Sequence, residues 1–186
     1  GRLAEDRGQD DRAIDRYDEY LSRGWPNRRS SVARRLAELY RKRDQHAKAL
    51  DLFRKLNDWN EDPIYELRQA SALRELGRHD EAEDLLETIL RDHPSLRSRA
   101  HYELAYVELA RDRDPAARGH FREVASDASS GTGWVRDARD RYVGLSLAAG
   151  DTSAAARGLE RMQEGPGRSL HEMEYQRQLG NLRRAQ

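Results

Sequence analysis

Cysteine is absent from this chain, and lysine occurs only at Lys42, Lys48 and Lys55, so the basic residues are almost all arginine. The absence of cysteine excludes disulfides and thiolate metal sites, and it leaves both reducing and oxidising compartments open. No apolar run approaches the roughly 20 residues that span a bilayer. The first residues show no signal-peptide pattern and no initiating methionine, so we expect a fragment of a longer protein.

Net charge is also absent, because 34 basic residues balance 34 acidic ones. No net field would therefore draw the chain to nucleic acid or to an anionic membrane surface. Charged residues make up 37% of the chain and the mean hydropathy is −1.06, values that would suit disorder if the apolar residues were scattered. Instead they recur at helical spacing between the charges, which predicts thin amphipathic helices.

Motifs for catalysis are missing as well. The sequence has no glycine-rich phosphate loop, no His-Glu-x-x-His and no Gly-x-Ser-x-Gly. His46 and His79 occupy equivalent places in successive segments, which indicates a repeat position rather than a pair of metal ligands. We therefore predict a protein that is not an enzyme and that binds no cofactor and no metal.

A small residue followed four positions later by a large one, and three later by an apolar one, occurs five times. Successive alanines of this pattern are 36, 33, 35 and 38 residues apart, close to the 34-residue period of a helix-turn-helix repeat. The five matches are Ala13/Tyr17/Tyr20, Ala49/Phe53/Leu56, Ala82/Leu86/Ile89, Ala117/Phe121/Val124 and Ala155/Leu159/Met162.

A residue suited to left-handed backbone stands five positions before each of these alanines. Glycine and aspartate tolerate that conformation at the C-terminal end of a helix, so each one marks the turn inside a helical hairpin. These residues are Gly8, Asp44, Gly77, Asp112 and Gly150. Proline occurs in three of the connections between hairpins, at Pro26, Pro63 and Pro94.

The first helix of each hairpin carries its own small-and-large pattern, seen in Leu36-Ala37-x-x-Tyr40, Gln69-Ala70-x-x-Leu73 and Leu104-Ala105-x-x-Glu108. Together these patterns resemble the tetratricopeptide repeat family over nearly the whole chain. Two departures are present: the family's tryptophan near the start of the first helix is missing, and the last unit has Tyr142-Val143-x-x-Ser146.

The resemblance implies an all-α, tetratricopeptide-type α-solenoid of about five helix-turn-helix repeats plus a C-terminal helix, forming one domain over residues 1–186. The expected repeats are 1–27 (truncated), 29–62, 63–95, 96–131 and 134–165, with the terminal helix at 168–184. The expected helices are 3–7, 10–23, 29–43, 46–57, 63–76, 79–91, 96–111, 115–126, 134–149, 152–163 and 168–184. We expect the Gly/Ser-rich joint at 126–133 to be the flexible point of the array.

In this family the first helices line a concave groove that binds partners. Projecting the helices accordingly predicts a partner-binding groove lined by Arg34, Arg35, Glu38, Arg41, Arg68, Ser71, Arg74, Arg99, Tyr102, Glu103 and Tyr106. Arginine and tyrosine are common at binding hot spots. The alternative is that these arginines are ordinary solvated surface, each paired with a neighbouring glutamate. The Lys and Asn clamp by which some family members bind chaperone C-termini is not found here.

The function that this resemblance implies is a non-enzymatic scaffold that docks another protein. By architecture the chain looks like the periplasmic repeat regions of bacterial exopolysaccharide-export outer-membrane proteins, which implies a periplasmic location and a polymer-modifying enzyme as partner. The alternative is a cytoplasmic regulatory or sensor module that binds a short signalling peptide. A catalytic role would require a domain outside these residues, and neither a nucleic-acid partner nor a membrane span is expected in this fragment.

Overall fold

The computed structural model describes residues 9–126, 133–162 and 170–185. Over these ranges the chain forms ten α-helices, one 3-10 turn at Pro94–Leu96 and no strand. The helices are α1 (Asp10–Ser22), α2 (Arg29–Lys42), α3 (His46–Asn60), α4 (Pro63–Glu75), α5 (His79–Asp92), α6 (Arg97–Ala110), α7 (Asp114–Ala125), α8 (Gly133–Ala148), α9 (Thr152–Met162) and α10 (Leu170–Ala185). The predicted all-α fold built from helical hairpins is confirmed. The expected helix at 3–7 and most of the joint at 126–133 lie outside the described residues.

The chain divides into two compact units, Gly1–Pro94 and Ser95–Gln186. In the first unit each helix from α1 to α5 packs against the next one in sequence. The pattern of small and large residues forms the core here, since Ala49, Phe53 and Leu56 are all buried. An alanine in the contact lets the helices approach closely, and the large side chain beside it fills the remaining space. In the first repeat, however, Tyr20 is only half-buried.

The second unit repeats this arrangement with α6 to α10. Ala117, Phe121 and Val124 are buried on α7, and Ala155 and Leu159 are buried on α9. The side chain of Met162, the last member of the pattern, lies outside the described residues.

The C-terminal helix α10 packs against both α8 and α9. Leu179 is buried and Tyr175 is half-buried in a cluster with Val143, Leu147 and Leu159. Met173 of the same helix is 52% exposed, so it contributes little to this contact. The last described hairpin therefore has its apolar surface covered by α10.

Four hairpin turns adopt the left-handed backbone that the sequence predicts. The φ angles are +55° at Asp44, +73° at Gly77, +56° at Asp112 and +72° at Gly150. After each of these residues, the next backbone N–H donates to a carbonyl five residues earlier, as from Arg78 to Leu73 at 2.9 Å. This is the bond of the Schellman motif, which satisfies the otherwise unpaired carbonyls of a helix end. Gly8, the fifth predicted turn residue, lies outside the described residues.

Gly158 explains how the atypical last hairpin closes. A Cβ atom at this position of α9 would lie 2.5 Å from Val143 Cγ2 and 3.1 Å from Tyr142 Cδ1. Both contacts are with α8, the helix whose Tyr142-Val143-x-x-Ser146 departs from the family pattern. Ser146 itself is buried, and its hydroxyl donates to the Tyr142 carbonyl at 2.7 Å. Both helices thus contribute a small residue to the close contact: Gly158 on α9 and Ser146 on α8.

We expect Gly158→Ala to destabilise the second unit by about 1–3 kcal/mol, because the overpacking outweighs the roughly 1 kcal/mol that alanine gains in a helix. Gly119→Ala is the matched control. Gly119 is also inside a helix, but a Cβ there meets nothing within 4 Å, so the free energy of unfolding should rise by about 0.4–1 kcal/mol. Chemical denaturation measures both. A stabilising effect of Gly158→Ala would show that α8 and α9 do not approach this closely.

Candidate partner-binding surface

Four helices carry the candidate partner-binding residues: α2 and α4 in the first unit, and α6 and α8 in the second. Each is the first helix of a hairpin. We call their exposed strips the first-helix surface of the respective unit. In the first unit the strip contains Arg34, Arg35, Glu38 and Arg41 on α2, with Arg68, Ser71 and Arg74 on α4. In the second unit it contains Arg99, Tyr102, Glu103 and Tyr106 on α6, with Trp134, Asp137 and Arg141 on α8.

Glu38 is the centre of the first-helix surface in the first unit. Its Oε2 accepts a hydrogen bond from Arg41 Nε at 3.0 Å, and its Oε1 lies 3.6 Å from Arg68 Nη1. The structure therefore brings together three of the predicted residues, two from α2 and one from α4. Arg34 lies one turn before Glu38, is exposed, and forms no ion pair with any residue in the described ranges.

The remaining predicted residues of this surface are half-buried. Nη2 of Arg74 lies 2.8 Å from Oε1 of Glu75, its neighbour in sequence. Arg35 also makes polar contacts. Pairing of arginine with a nearby glutamate, the alternative interpretation from the sequence, thus describes Arg41, Arg68 and Arg74. Each of these pairs includes one side chain that is at least 35% exposed, so solvent screens the interaction in part.

In the second unit the two predicted tyrosines share one acceptor. The hydroxyls of Tyr102 and Tyr106 both donate to Asp137 Oδ2, at 2.9 and 2.6 Å. Their rings meet edge to face with centroids 5.1 Å apart, and the ring centroid of Trp134 lies 5.7 Å from that of Tyr102. The guanidinium of Arg141 stands 5.6 Å from the centre of the Tyr106 ring. Asp137 therefore joins α6 to α8, and an aromatic cluster surrounds it.

The two tyrosine hydroxyls of this cluster are protonated at neutral pH. Burial raises the pKa of Tyr106, and the hydrogen bond to Asp137 raises it further. Burial likewise raises the pKa of Tyr102, helped by the hydrogen bonds to Tyr106 and Asp137. Both hydroxyls therefore stay protonated and donate to Oδ2 of the carboxylate, while its Oδ1 lies 3.7 Å from Nε of Arg141.

Trp134, Asp137 and Arg141 are functional candidates that the sequence reasoning did not identify. Their spacing of three and then four residues repeats the spacing of Arg99, Tyr102 and Tyr106 on α6. This signal was available, but the departure of the last unit from the family pattern left α8 without a predicted surface. The other two predicted residues of α6, Arg99 and Glu103, are half-buried and make polar contacts.

A histidine pair lies beside this surface, where Nδ1 of His101 on α6 is 3.1 Å from Nδ1 of His120 on α7. Burial lowers the pKa of His101, and the neighbouring His120 lowers it further, so a neutral ring can share a single N–H with its partner. No group of three or more histidine or acidic side chains within the described ranges is arranged to hold a metal. None of the described helices has the length and apolar character of a membrane span.

Comparison with known proteins gives two kinds of similarity. Residues 67–131 match the family model of the tetratricopeptide repeat. A tetratricopeptide repeat protein from Parabacteroides merdae has a similar structure, with a TM-score of 0.66 and 15% identity over 96% of this chain and 69% of its own. PilF of Pseudomonas aeruginosa gives 0.65 and 17% over 94% and 84%, and MamA gives 0.64 and 13% over 96% and 95%. No curated protein sequence matches the chain. Identities this low establish a shared fold only.

Proposed function

We propose that this chain, a tetratricopeptide repeat protein, is a non-enzymatic scaffold that docks a partner protein on its first-helix surfaces. One observation carries the proposal: in each unit, polar side chains connect the first helices of successive hairpins. Glu38 connects α2 to α4, and Asp137 connects α6 to α8. The helices that present arginine and tyrosine are thus held in place before a partner arrives, which lowers the entropy lost on binding.

The two surfaces differ in chemistry. In the first unit, one glutamate lies between two arginines while Arg34 points to solvent, so the strip favours an acidic patch on a partner. In the second unit, three aromatic rings around one carboxylate offer flat apolar area with hydrogen-bonding edges. Both surfaces suit a folded protein better than a small reacting molecule, because they lie open to water.

The cellular setting belongs to the same proposal. We propose a bacterial envelope assembly such as exopolysaccharide export, with the chain in the periplasm and a polymer-modifying enzyme as partner. The support is the architectural resemblance alone. Fractionation of cells that produce the natural full-length protein tests it, since recovery in the cytoplasm would favour the regulatory module that binds a short signalling peptide.

Site-specific photo-crosslinking in the full-length protein within its own cells tests the docking surface. A photoreactive amino acid at position 34 should give a discrete adduct of protein size, whereas the same residue at position 55, exposed on α3, should give none. Arg41→Glu together with Arg68→Glu should reduce the adduct at least about tenfold, since hot-spot arginines are worth about 2 kcal/mol or more.

The matched control for charge reversal is Arg54→Glu together with Arg91→Glu. Both residues are exposed in the same unit, but they lie on the second helices α3 and α5. This variant should keep the adduct within about twofold. An adduct from position 55 but not from position 34, or equal loss in both variants at intact helicity, would overturn the first-helix surface as the docking site. An adduct of peptide size would favour the signalling-peptide module.

A further inference from the structure

A cleft of about 360 Å³ lies in the second unit, with α7 and α9 on its sides and Tyr142 of α8 in its lining. Three arginines line it: Arg118 and Arg122 from α7 and Arg157 from α9. The first-helix surface of the unit contributes none of these cations. The volume of the cleft is at the lower end of the roughly 300–1,000 Å³ that is usual for ligand sites, so the cleft suits a few side chains and not a large ligand.

Asp151 is the acidic residue in this lining, and its two oxygens are already engaged. Oδ1 accepts a hydrogen bond from the backbone N–H of Ala154 at 2.9 Å, which caps the start of α9. Oδ2 lies 3.4 Å from Arg118 Nη1. The carboxylate is therefore fixed by the helix end, and it holds Arg118 at the cleft without being able to neutralise the other two guanidinium groups.

The remaining two arginines have charge to offer. Nη2 of Arg122 lies 3.2 Å from Glu123 Oε1, but both side chains are more than half exposed. That ion pair is therefore weak, and a ligand carboxylate can replace Glu123 in it. Arg157 is exposed on α9 and forms no ion pair within the described part of the chain. Ser126 and Tyr142 also line the cleft, but the Ser126 hydroxyl already donates to the Arg122 carbonyl at 2.8 Å and Tyr142 is only 6% exposed, so the guanidinium groups are the main donors. The cleft thus presents a surplus of positive charge and several hydrogen-bond donors.

We propose that this cleft binds an acidic peptide segment of a partner protein, with its carboxylates seated between Arg118, Arg122 and Arg157. The guanidinium fork matches the geometry of a carboxylate and can bind it through two parallel hydrogen bonds. This assignment goes beyond the proposed function, because it uses the second helices and stands whether or not the first-helix surface binds.

A short acidic peptide fits better than an extended polyanion. The exposed acids Glu123 and Glu160 lie on the same two helices and would repel phosphates that continue past the cleft. The zero net charge of the chain also gives no long-range attraction for a nucleic acid. Recognition is therefore local and depends on the three arginines.

Titration of the full chain with a capped tetraglutamate peptide, followed by amide chemical shifts, tests the proposal. Saturable shifts should appear at Arg118, Arg122, Ser126 and Ala154, and a capped tetraglutamine peptide at equal ionic strength should produce none. Arg122→Gln with Arg157→Gln should weaken the affinity for tetraglutamate about tenfold or more, since it removes two charge-assisted contacts. Neither residue is in a buried pair, so the fold should be retained.

Arg12→Gln with Arg16→Gln is the control, because it removes the same charge from exposed positions on α1. Its affinity for the peptide should stay within about twofold of the parent chain. Equal binding of tetraglutamine, or equal losses in the two double variants, would overturn the cleft as a carboxylate site. Inorganic phosphate binding as tightly as tetraglutamate would also overturn it, because the cleft would then be a general anion site.

Discussion

Replacing Glu108 with alanine should lower the free energy of unfolding of the second unit by about 3–5 kcal/mol. Glu108 is only 4% exposed, and its carboxylate lies 3.6 Å from Arg111 Nη1 and 3.7 Å from Arg113 Nη1. The Arg111 side chain is itself mostly buried. Alanine would remove this carboxylate from a guanidinium in a region that water reaches poorly, and urea denaturation would measure the loss.

Glu19→Ala is a close control for this effect. Glu19 also lies between two arginines, since its Oε2 is 3.3 Å from Arg16 Nη1 and its Oε1 is 2.6 Å from Arg23 Nη2. Its side chain, however, is 45% exposed. Its removal should lower the stability by no more than about 1 kcal/mol. The double replacement Glu108→Leu with Arg111→Leu should recover most of the loss, because an apolar pair of similar volume avoids both desolvation penalties. Similar small losses from Glu108→Ala and Glu19→Ala would contradict the role of burial.

Glu108 also shows where reading the sequence reaches its limit. The sequence predicts the repeat position, since Leu104-Ala105-x-x-Glu108 aligns with Leu36-Ala37-x-x-Tyr40. It does not explain a charge at a packing position. The explanation lies in the turn, where Asp112 takes a φ of +56° and the N–H of Arg113 donates to the Glu108 carbonyl at 2.9 Å. This tight reversal brings both arginines back to the carboxylate.

The fold was largely predictable because it depends on local patterns repeated several times. Alanine at the helix contacts and left-handed residues in the turns each act over a few residues, and their positions agree with the structure at Asp44, Gly77 and Asp112. The details of the first-helix surfaces were less predictable, because they depend on pairs distant in sequence. Asp137 lies 31 residues after Tyr106, and no local pattern indicates that its carboxylate accepts from that hydroxyl.

The predicted groove residues illustrate the same difference. Spacing alone placed Glu38 and Arg41 on one strip of α2, and in the structure Arg41 Nε donates a hydrogen bond to Glu38 Oε2 at 3.0 Å. The ion pair between Glu38 and Arg68 requires in addition that α2 and α4 lie side by side, which follows from stacking of hairpins and not from either helix. Periodicity thus predicts which residues share a strip, whereas tertiary packing decides which of them form pairs.

Replacing Phe121 with alanine should have a second large effect, lowering the free energy of unfolding by about 3–5 kcal/mol. Phe121 is completely buried, and its ring centre lies 6.3 Å from that of Tyr102 and 5.5 Å from that of Tyr106. Phe121 therefore packs beneath Tyr102 and Tyr106 of the first-helix surface. Its loss should both destabilise the second unit and change the near-ultraviolet circular dichroism of the tyrosines, because their packing would become less ordered.

Phe53→Ala separates these two consequences. Phe53 occupies the equivalent position on α3 in the first unit and is 1% exposed, so its removal should cost a similar 3–5 kcal/mol or so. It should leave the hydrogen bonds of Tyr102 and Tyr106 to Asp137 intact, which amide and side-chain chemical shifts at Asp137 can follow. If Phe121→Ala lowered stability but left those shifts unchanged, the tyrosine pair would be held by Asp137 alone, and the core beneath it would have no part in arranging the first-helix surface.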